Sequence, residues 1–357
     1  MYLRRAFVSL FVSASAAYSF ACDIPLGSSA SPFEHPFWQS ANSTCTEPQD
    51  TYTVRLSQGK GLGAFATRAL EAGDVILSEA PVLQVRPPPF QQGKGYSLTE
   101  MGVFIRRAFE SLSGDQQSEV LSLHAYTTQA EKESPDLDEL VPIFRSNAYT
   151  TEKHISLFPR IARINHSCRP NTSYFWNKRI GKQVVYATRR IEEGEELSVS
   201  YIPLLYTRAD RQKRLDQYGF KCSCEACIDG NRHSDRRRDR IRRAFSALEP
   251  QLSLDSSGGT IKSKKVDSLE AESVELIQLV EEEGLADYRA RAYRVAAIAH
   301  AMSAAFENAT LYAHKSYQLR LMADSQSEEA KEMEILTSRF ISSWNDHLRN
   351  KSMRTST

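Results

Sequence analysis

The sequence predicts an α+β protein, with a β-rich half carrying a helical insert followed by an all-α C-terminal half. Three observations carry this. Short alternating or apolar runs parted by glycine and proline turns fill residues 52–85 and 173–201, as strands joined by tight turns should. Between them, residues 97–145 place Val103, Ile105, Phe109 and Leu112 among polar residues in a helical pattern. Beyond Cys227, apolar residues recur at helical spacing to the end of the chain.

The first 50 residues differ from the rest. Arg4 and Arg5 precede an uncharged stretch from Ala6 to Ala21, with small residues at Ser19 and Ala21. This is the layout of a signal peptide over residues 1–21, and it is short for a membrane span. It predicts secretion or residence in the secretory pathway, with no membrane span in the mature chain. The alternative is an uncleaved extension on a nuclear or cytoplasmic protein. Residues 22–50, rich in Ser, Pro and Asn, read as an irregular leader. There Asn42-Ser43-Thr44 is a glycosylation sequon, and Cys22 and Cys45 are a pair that an oxidising compartment could join.

Tyr52-Thr53-Val54-Arg55-Leu56 alternates as a strand, and Gln58-Gly59-Lys60-Gly61-Leu62-Gly63 turns the chain into a returning strand. No long helix follows these glycines, so they are not a dinucleotide fingerprint. Glu71-Ala72-Gly73-Asp74 turns into Val75-Ile76-Leu77, and residues 81–85 continue extended. After the insert, residues 173–176 and 183–187 read as strands, and the acidic turn at Glu192, Glu193, Glu195 and Glu196 leads into a strand bearing Tyr201. That acidic turn is either a solvated loop or a site for a basic substrate tail. Residues 207–217 form a charged helix. In the C-terminal half, the basic run at 236–243 reads as a solvated helix face with Ile241 and Phe245 inward. Ser256-Ser257-Gly258-Gly259 is a break, after which Leu269, Ile277 and Val280, then Val295, Ile298, Met302 and Phe306, mark successive helices. With 45 basic against 44 acidic residues there is no net field toward nucleic acid, and direct nucleic-acid binding is not expected.

The cysteines carry the chemistry. Cys222, Cys224 and Cys227 lie too close in sequence for all three to pair with one another, and they suit convergence on one tetrahedral zinc. That set is one ligand short, and Cys168 is the economical fourth, since Cys22 and Cys45 lie far upstream. The alternative is buried or disulfide-bonded cysteines. With all four positions filled by thiolates, the zinc would be structural.

Asn165-His166-Ser167-Cys168 with Pro170-Asn171, then Glu196-Leu197 with Tyr201, then Cys222-x-Cys224-x-x-Cys227, with Gly61-Leu62-Gly63 upstream, resembles the SET-domain protein lysine methyltransferases. The likeness is to their SET-and-MYND branch. It covers roughly residues 52–228, with the SET and post-SET domain at 51–228, its helical insert at about 97–145, and a helical C-terminal domain at 229–357. The insert holds no cysteine, so it carries no MYND zinc module, and partner binding by that module does not transfer.

The resemblance implies a β-rich SET fold, a zinc-bound post-SET loop, and methyl transfer from S-adenosylmethionine to a lysine of a protein substrate, histone or not. Tyr201 would be the catalytic residue, positioning the amine, and would also face the cofactor. Lys60, Gly61, Leu62, Asn147, Asn165, His166 and Phe220 would complete the cofactor site, with Phe220 packing on the adenine. Cys168 would supply the fourth zinc ligand to Cys222, Cys224 and Cys227. The helical C-terminal domain would be a surface for a protein partner. The other reading is a catalytically silent SET scaffold or a secreted interaction protein.

Overall fold

The computed structural model describes residues 51–92, 95–134, 137–228, 232–252 and 263–355. The expectations for the signal segment, the leader with Cys22 and Cys45, the sequon and the Ser256–Gly259 break lie outside these residues.

Strands β1 (Tyr52–Ser57) and β2 (Gly61–Ala66) form an antiparallel hairpin with Ser57 opposite Gly61. Its turn needs glycine, because Gly59 and Gly61 sit at φ +74° and +77°, where a Cβ is strained. Strands β3 (Val75–Glu79) and β4 (Leu83–Val85) follow. The insert then contributes α1 (Leu98–Glu110), α2 (Gly114–Leu121), α3 (Gln129–Lys132) and α4 (Leu140–Asn147). Six short strands complete this half: β5 (Ala148–Thr151), β6 (His154–Leu157), β7 (Asn165–His166), β8 (Thr172–Asn177), β9 (Lys182–Ala187) and β10 (Ser198–Val199).

The strands make small sheets in the orders β3-β9-β8 and β4-β6-β5, while β7 and β10 pair in parallel with Ser198 opposite Asn165. Ile76, Leu77, Val185 and Leu197 pack with Phe158 and Ile164 in one core. A second core joins the insert to β4 and β6. Its α1 contribution is Met101, Ile105 and Phe109, spaced by four on one helix face. Val103, expected inward, is 55% exposed, since two residues from Ile105 is the opposite side of a helix.

Helices α5 (Arg208–Leu215) and α6 (Glu225–Ile228) follow the strands, and the C-terminal half comprises α7 (Arg232–Leu248), α8 (Ser263–Glu282), α9 (Ala286–Met302), α10 (Phe306–Asp324) and α11 (Glu328–Thr355). Among the described residues no helix is long and apolar enough to cross a membrane. Leu276 and Val280 of α8 and Val295 and Ala296 of α9 share one buried cluster with Cys168, Leu204 and Cys227. Each such leucine or valine side chain contributes about 1.5–3 kcal/mol of burial, so the helices and the cysteine region stabilise one another.

The basic run of α7 departs from expectation. Ile241 and Phe245 face inward as predicted, but Arg238 is also fully buried, so the run is not a wholly solvated face. Arg238 Nη1 donates to the Leu204 carbonyl at 2.8 Å and Nη2 to the Cys168 carbonyl at 3.0 Å. Its Nε donates to the Glu283 carboxylate at 3.1 Å.

Candidate active site and cysteine cluster

The three cysteines singled out by spacing converge with Cys168, the expected fourth. The Sγ atoms of Cys168, Cys222, Cys224 and Cys227 all lie within 4.8 Å of one another. Sulfurs tetrahedral about a zinc at about 2.3 Å would stand about 3.8 Å apart, and Cys168 Sγ lies 3.7 Å from Cys227 Sγ. The four thiols do not titrate alike. Hydrogen bonding, first with Cys222, drives the Cys168 thiol far up, while hydrogen bonding, first from Cys168, holds Cys224 far down. Four sulfurs at these separations are a donor set that fits zinc.

Two residues of α5 hold this cluster in place, and neither was visible in the sequence. Arg211 is buried, with Nε donating to Cys168 Sγ at 3.3 Å and Nη1 to the Tyr206 carbonyl at 2.6 Å. The adjacent Gln212 donates to the Phe220 carbonyl at 2.8 Å and accepts from the Cys222 N–H at 3.0 Å. One helix therefore fixes both the sulfurs and the backbone that carries Phe220.

His166 connects the cluster to Tyr201. The Tyr201 backbone N–H donates to His166 Nδ1 at 3.1 Å, so the network places the neutral ring's proton on Nε2, facing Cys168 Sγ at 3.3 Å. Burial lowers the imidazole pKa to about 4, which keeps the ring neutral at neutral pH. Tyr201 lies beyond the end of β10 rather than on a strand, because the β7–β10 pairing stops at Val199. Its hydroxyl donates to the Ile164 carbonyl at 2.7 Å. The Phe220 ring lies 6.2 Å from the His166 ring and 6.5 Å from that of Tyr201, centroid to centroid.

On the other side of Asn165 is a polar network. The Asn165 amide donates to the Leu62 carbonyl at 3.1 Å and to Glu196 Oε1 at 2.8 Å. Lys60 Nζ reaches Glu196 Oε2 at 2.8 Å. Gly63 makes this packing feasible, since a Cβ there would lie 2.7 Å from Glu196 Oε1 and 2.9 Å from Asn165 Nδ2. Gly61 serves the turn by its φ, and Gly63 serves the site by its missing side chain. The acidic turn is largely matched within the chain, with Glu192 on Arg190, Glu195 on Arg189 and Glu196 on Lys60. It is therefore not a free receptor for a basic tail.

Asn147 lies at the end of α4, where its Nδ2 donates to the His124 and Ile143 carbonyls, both at 2.7 Å. The same helix reaches the Phe220 region through Arg145, which donates to the Gln217 carbonyl at 2.6 Å and pairs with Glu131 at 2.7 Å. Gly219 sits at φ +76° beneath the Tyr126 ring, which any Cβ there would overlap. The insert thus clamps the turn that delivers Phe220.

Comparison with known proteins places part of the chain in a family. Residues 61–202 match the SET domain family. These residues are a SET domain. The chain is 30% identical over 181 residues to "Histone-lysine N-methyltransferase set5" of Schizosaccharomyces pombe, covering 50% of each chain. It is 37% identical over 121 residues to human "N-lysine methyltransferase SMYD2", covering 31% of this chain and 27% of that one. Human "Histone-lysine N-methyltransferase SMYD3" is 41% identical over 91 residues, covering 25% and 21%. The chain thus spans half the length of the first relative and about a quarter of the other two.

A cleft of about 420 Å³ opens beside Tyr201 of the SET domain. Ser173, Tyr174, Ile202 and Pro203 wall it together with Asp287, which comes from α9. Tyr149 braces the wall, its ring centroid 5.0 Å from that of Tyr174 in an edge-on contact. The cleft is the SET domain's boundary with the C-terminal helices.

Proposed function

We propose that this protein transfers a methyl group from S-adenosylmethionine to a lysine side chain of another protein. The observation that carries this reading is the convergence on His166. Its ring joins the Tyr201 backbone to Cys168 by hydrogen bonds, with Phe220 beside it, so four of the residues the resemblance singles out lie together.

Asn165, His166 and Phe220 would hold S-adenosylmethionine, which would supply a methyl carbon on a positively charged sulfur. Tyr201 is suited to hold the attacking amine. Its hydroxyl proton is committed to the Ile164 carbonyl, which leaves the oxygen lone pairs to accept an amine N–H and orient the nucleophile. Burial drives the phenol far above its usual range, so Tyr201 positions the amine and does not act as the base. A lysine begins near pKa 10.4 and must attack as the free amine. The aromatic surroundings of Tyr149, Tyr174 and Tyr218 disfavour its charged form by desolvation, and the proton leaves to solvent. Cys168, Cys222, Cys224 and Cys227 would hold a structural zinc that fixes the Phe220 loop.

Tyr201→Phe tests this directly. The ring remains while the oriented oxygen is lost, so turnover should fall about a hundredfold, roughly 3 kcal/mol in barrier. Cofactor affinity measured by calorimetry should stay within about threefold, because the contacts of Asn165 and Phe220 are untouched. Unchanged methyl transfer by Tyr201→Phe would remove Tyr201 from the centre. No methyl transfer by the parent protein to any component of a cell extract would reject the activity.

A further inference from the structure

We infer that Asp287, brought to the cleft by α9, is a specificity-determining carboxylate that receives a basic side chain flanking the methylated lysine. The inference rests on the activity proposed above. Three observations carry it.

The first is position. Asp287 and Tyr201 line the same cleft although they belong to different halves of the molecule. A peptide that placed a lysine against Tyr201 would run past Asp287. The second is availability. Glu192, Glu195 and Glu196 each have a cation of their own chain, whereas Asp287 forms no ion pair among the described residues. Its side-chain hydrogen bond is to Ser173, on the same cleft wall. The third is environment. Asp287 is exposed, yet it is enclosed by the cleft, and the enclosure lifts its carboxyl above the ordinary range. A cation entering there meets less screening than at an open surface.

The charge suits a neighbouring residue better than the lysine under attack. A carboxylate paired with the reacting nitrogen would hold it as ammonium and oppose methyl transfer. Paired with a flanking arginine or lysine, the same carboxylate adds binding without that penalty. A purely structural role is the competing account, since Asp287 is in the first turn of α9, where an acid favours the helix dipole. That role would affect stability and leave sequence preference untouched.

The test uses the full chain and a lysine-centred peptide library randomised at the flanking positions. The parent protein should favour arginine or lysine at one flank at least. Asp287→Asn should lose that preference, with KM for the basic peptides rising about tenfold and kcat staying within about twofold, the scale of one charged hydrogen bond. Asp287→Arg should turn the preference toward acidic flanks. Coincident flank profiles for parent and Asp287→Asn would overturn the inference while leaving the activity intact. Fluorescence anisotropy with an arginine-flanked lysine peptide and its glutamine-flanked counterpart separates the two claims further, because binding needs no turnover. A chain that methylates nothing but loses affinity for the arginine peptide on Asp287→Asn would keep Asp287 as a receptor for a basic side chain and reject the activity. Equal affinities in both variants would reject the inference.

Discussion

Two charged networks brace the site from opposite sides, and they differ in how much water they see. Behind the cysteine cluster, Glu283 has no exposed side-chain surface and accepts from Ser234 at 2.7 Å, Arg237 at 2.6 Å and Arg238 at 3.1 Å. Beside the glycine hairpin, the Lys60 and Glu196 side chains keep 33% and 21% of their surface. The chemistry is the same and its consequences are not. A buried charge deprived of its partner has no water to fall back on, whereas a half-exposed one is rehydrated and screened. The buried network also has a reason to be cationic. Four thiolates holding a dication would leave two negative charges, and Arg211 and Arg238 are two fully buried arginines beside the cysteines.

The largest effect should therefore follow Glu283→Gln, which keeps the shape and removes the charge. Arg238 would be left buried without its counter-ion, at about 3–5 kcal/mol of stability, read from denaturant unfolding. The pH dependence has a defined sign. Burial opposes ionisation of Glu283, but Ser234, Arg238 and Arg237 outweigh it and hold the carboxyl below its usual range. Its contribution is then complete above the unfolded value near 4.3 and is lost as pH falls through the lower folded value. The variant should lack that part of the acid sensitivity. A loss under 1 kcal/mol would erase the contrast between the two networks.

That contrast was only half legible in the sequence. The cysteine cluster could be read because ligand spacing is local and few other arrangements suit three thiols so close together. The hairpin could be read because Gly59 and Gly61 mark a turn. Arg211, Gln212 and Arg238 could not. Each sits in a charged helical run that looks solvated, and each is made structural by partners elsewhere, such as Glu283 and Cys168. Tyr201 was found by its motif but set on a strand, because a two-residue parallel pairing leaves no periodicity to show where it stops. Asp287 belongs to no motif. Only the packing of α9 against the cleft distinguishes it from other helix-start acids.

An intermediate effect should separate the two glycines of the hairpin. Gly61→Ala meets open space and carries only the left-handed backbone, about 1–2 kcal/mol. Gly63→Ala adds a methyl against Glu196 and Asn165, so their hydrogen bond must open or the hairpin must shift, at about 1–3 kcal/mol. The two should diverge in cofactor affinity more than in stability, since only Gly63→Ala moves Asn165. Equal affinities in calorimetry would detach Asn165 from the cofactor site.

The smallest effect is expected at the exposed network itself. Burial alone would raise the Glu196 carboxyl, but hydrogen bonds from Lys60, Asn165 and Ser57 hold it below its usual range. Any stability it adds is present above about pH 4.3 and fades as pH falls through its lower folded value. Glu196→Gln keeps an acceptor for Asn165 and loses only the attraction to Lys60. An exposed pair of this kind is worth about 0.2–1 kcal/mol, less at high salt. The difference between parent and Glu196→Gln should shrink further when unfolding is repeated at about 1 M salt, where screening acts within about 3 Å. The Glu283→Gln loss should persist at the same salt, since ions do not reach a side chain with no exposed surface. If both losses shrank together, solvent would be reaching Glu283, and the distinction between the two networks would fail.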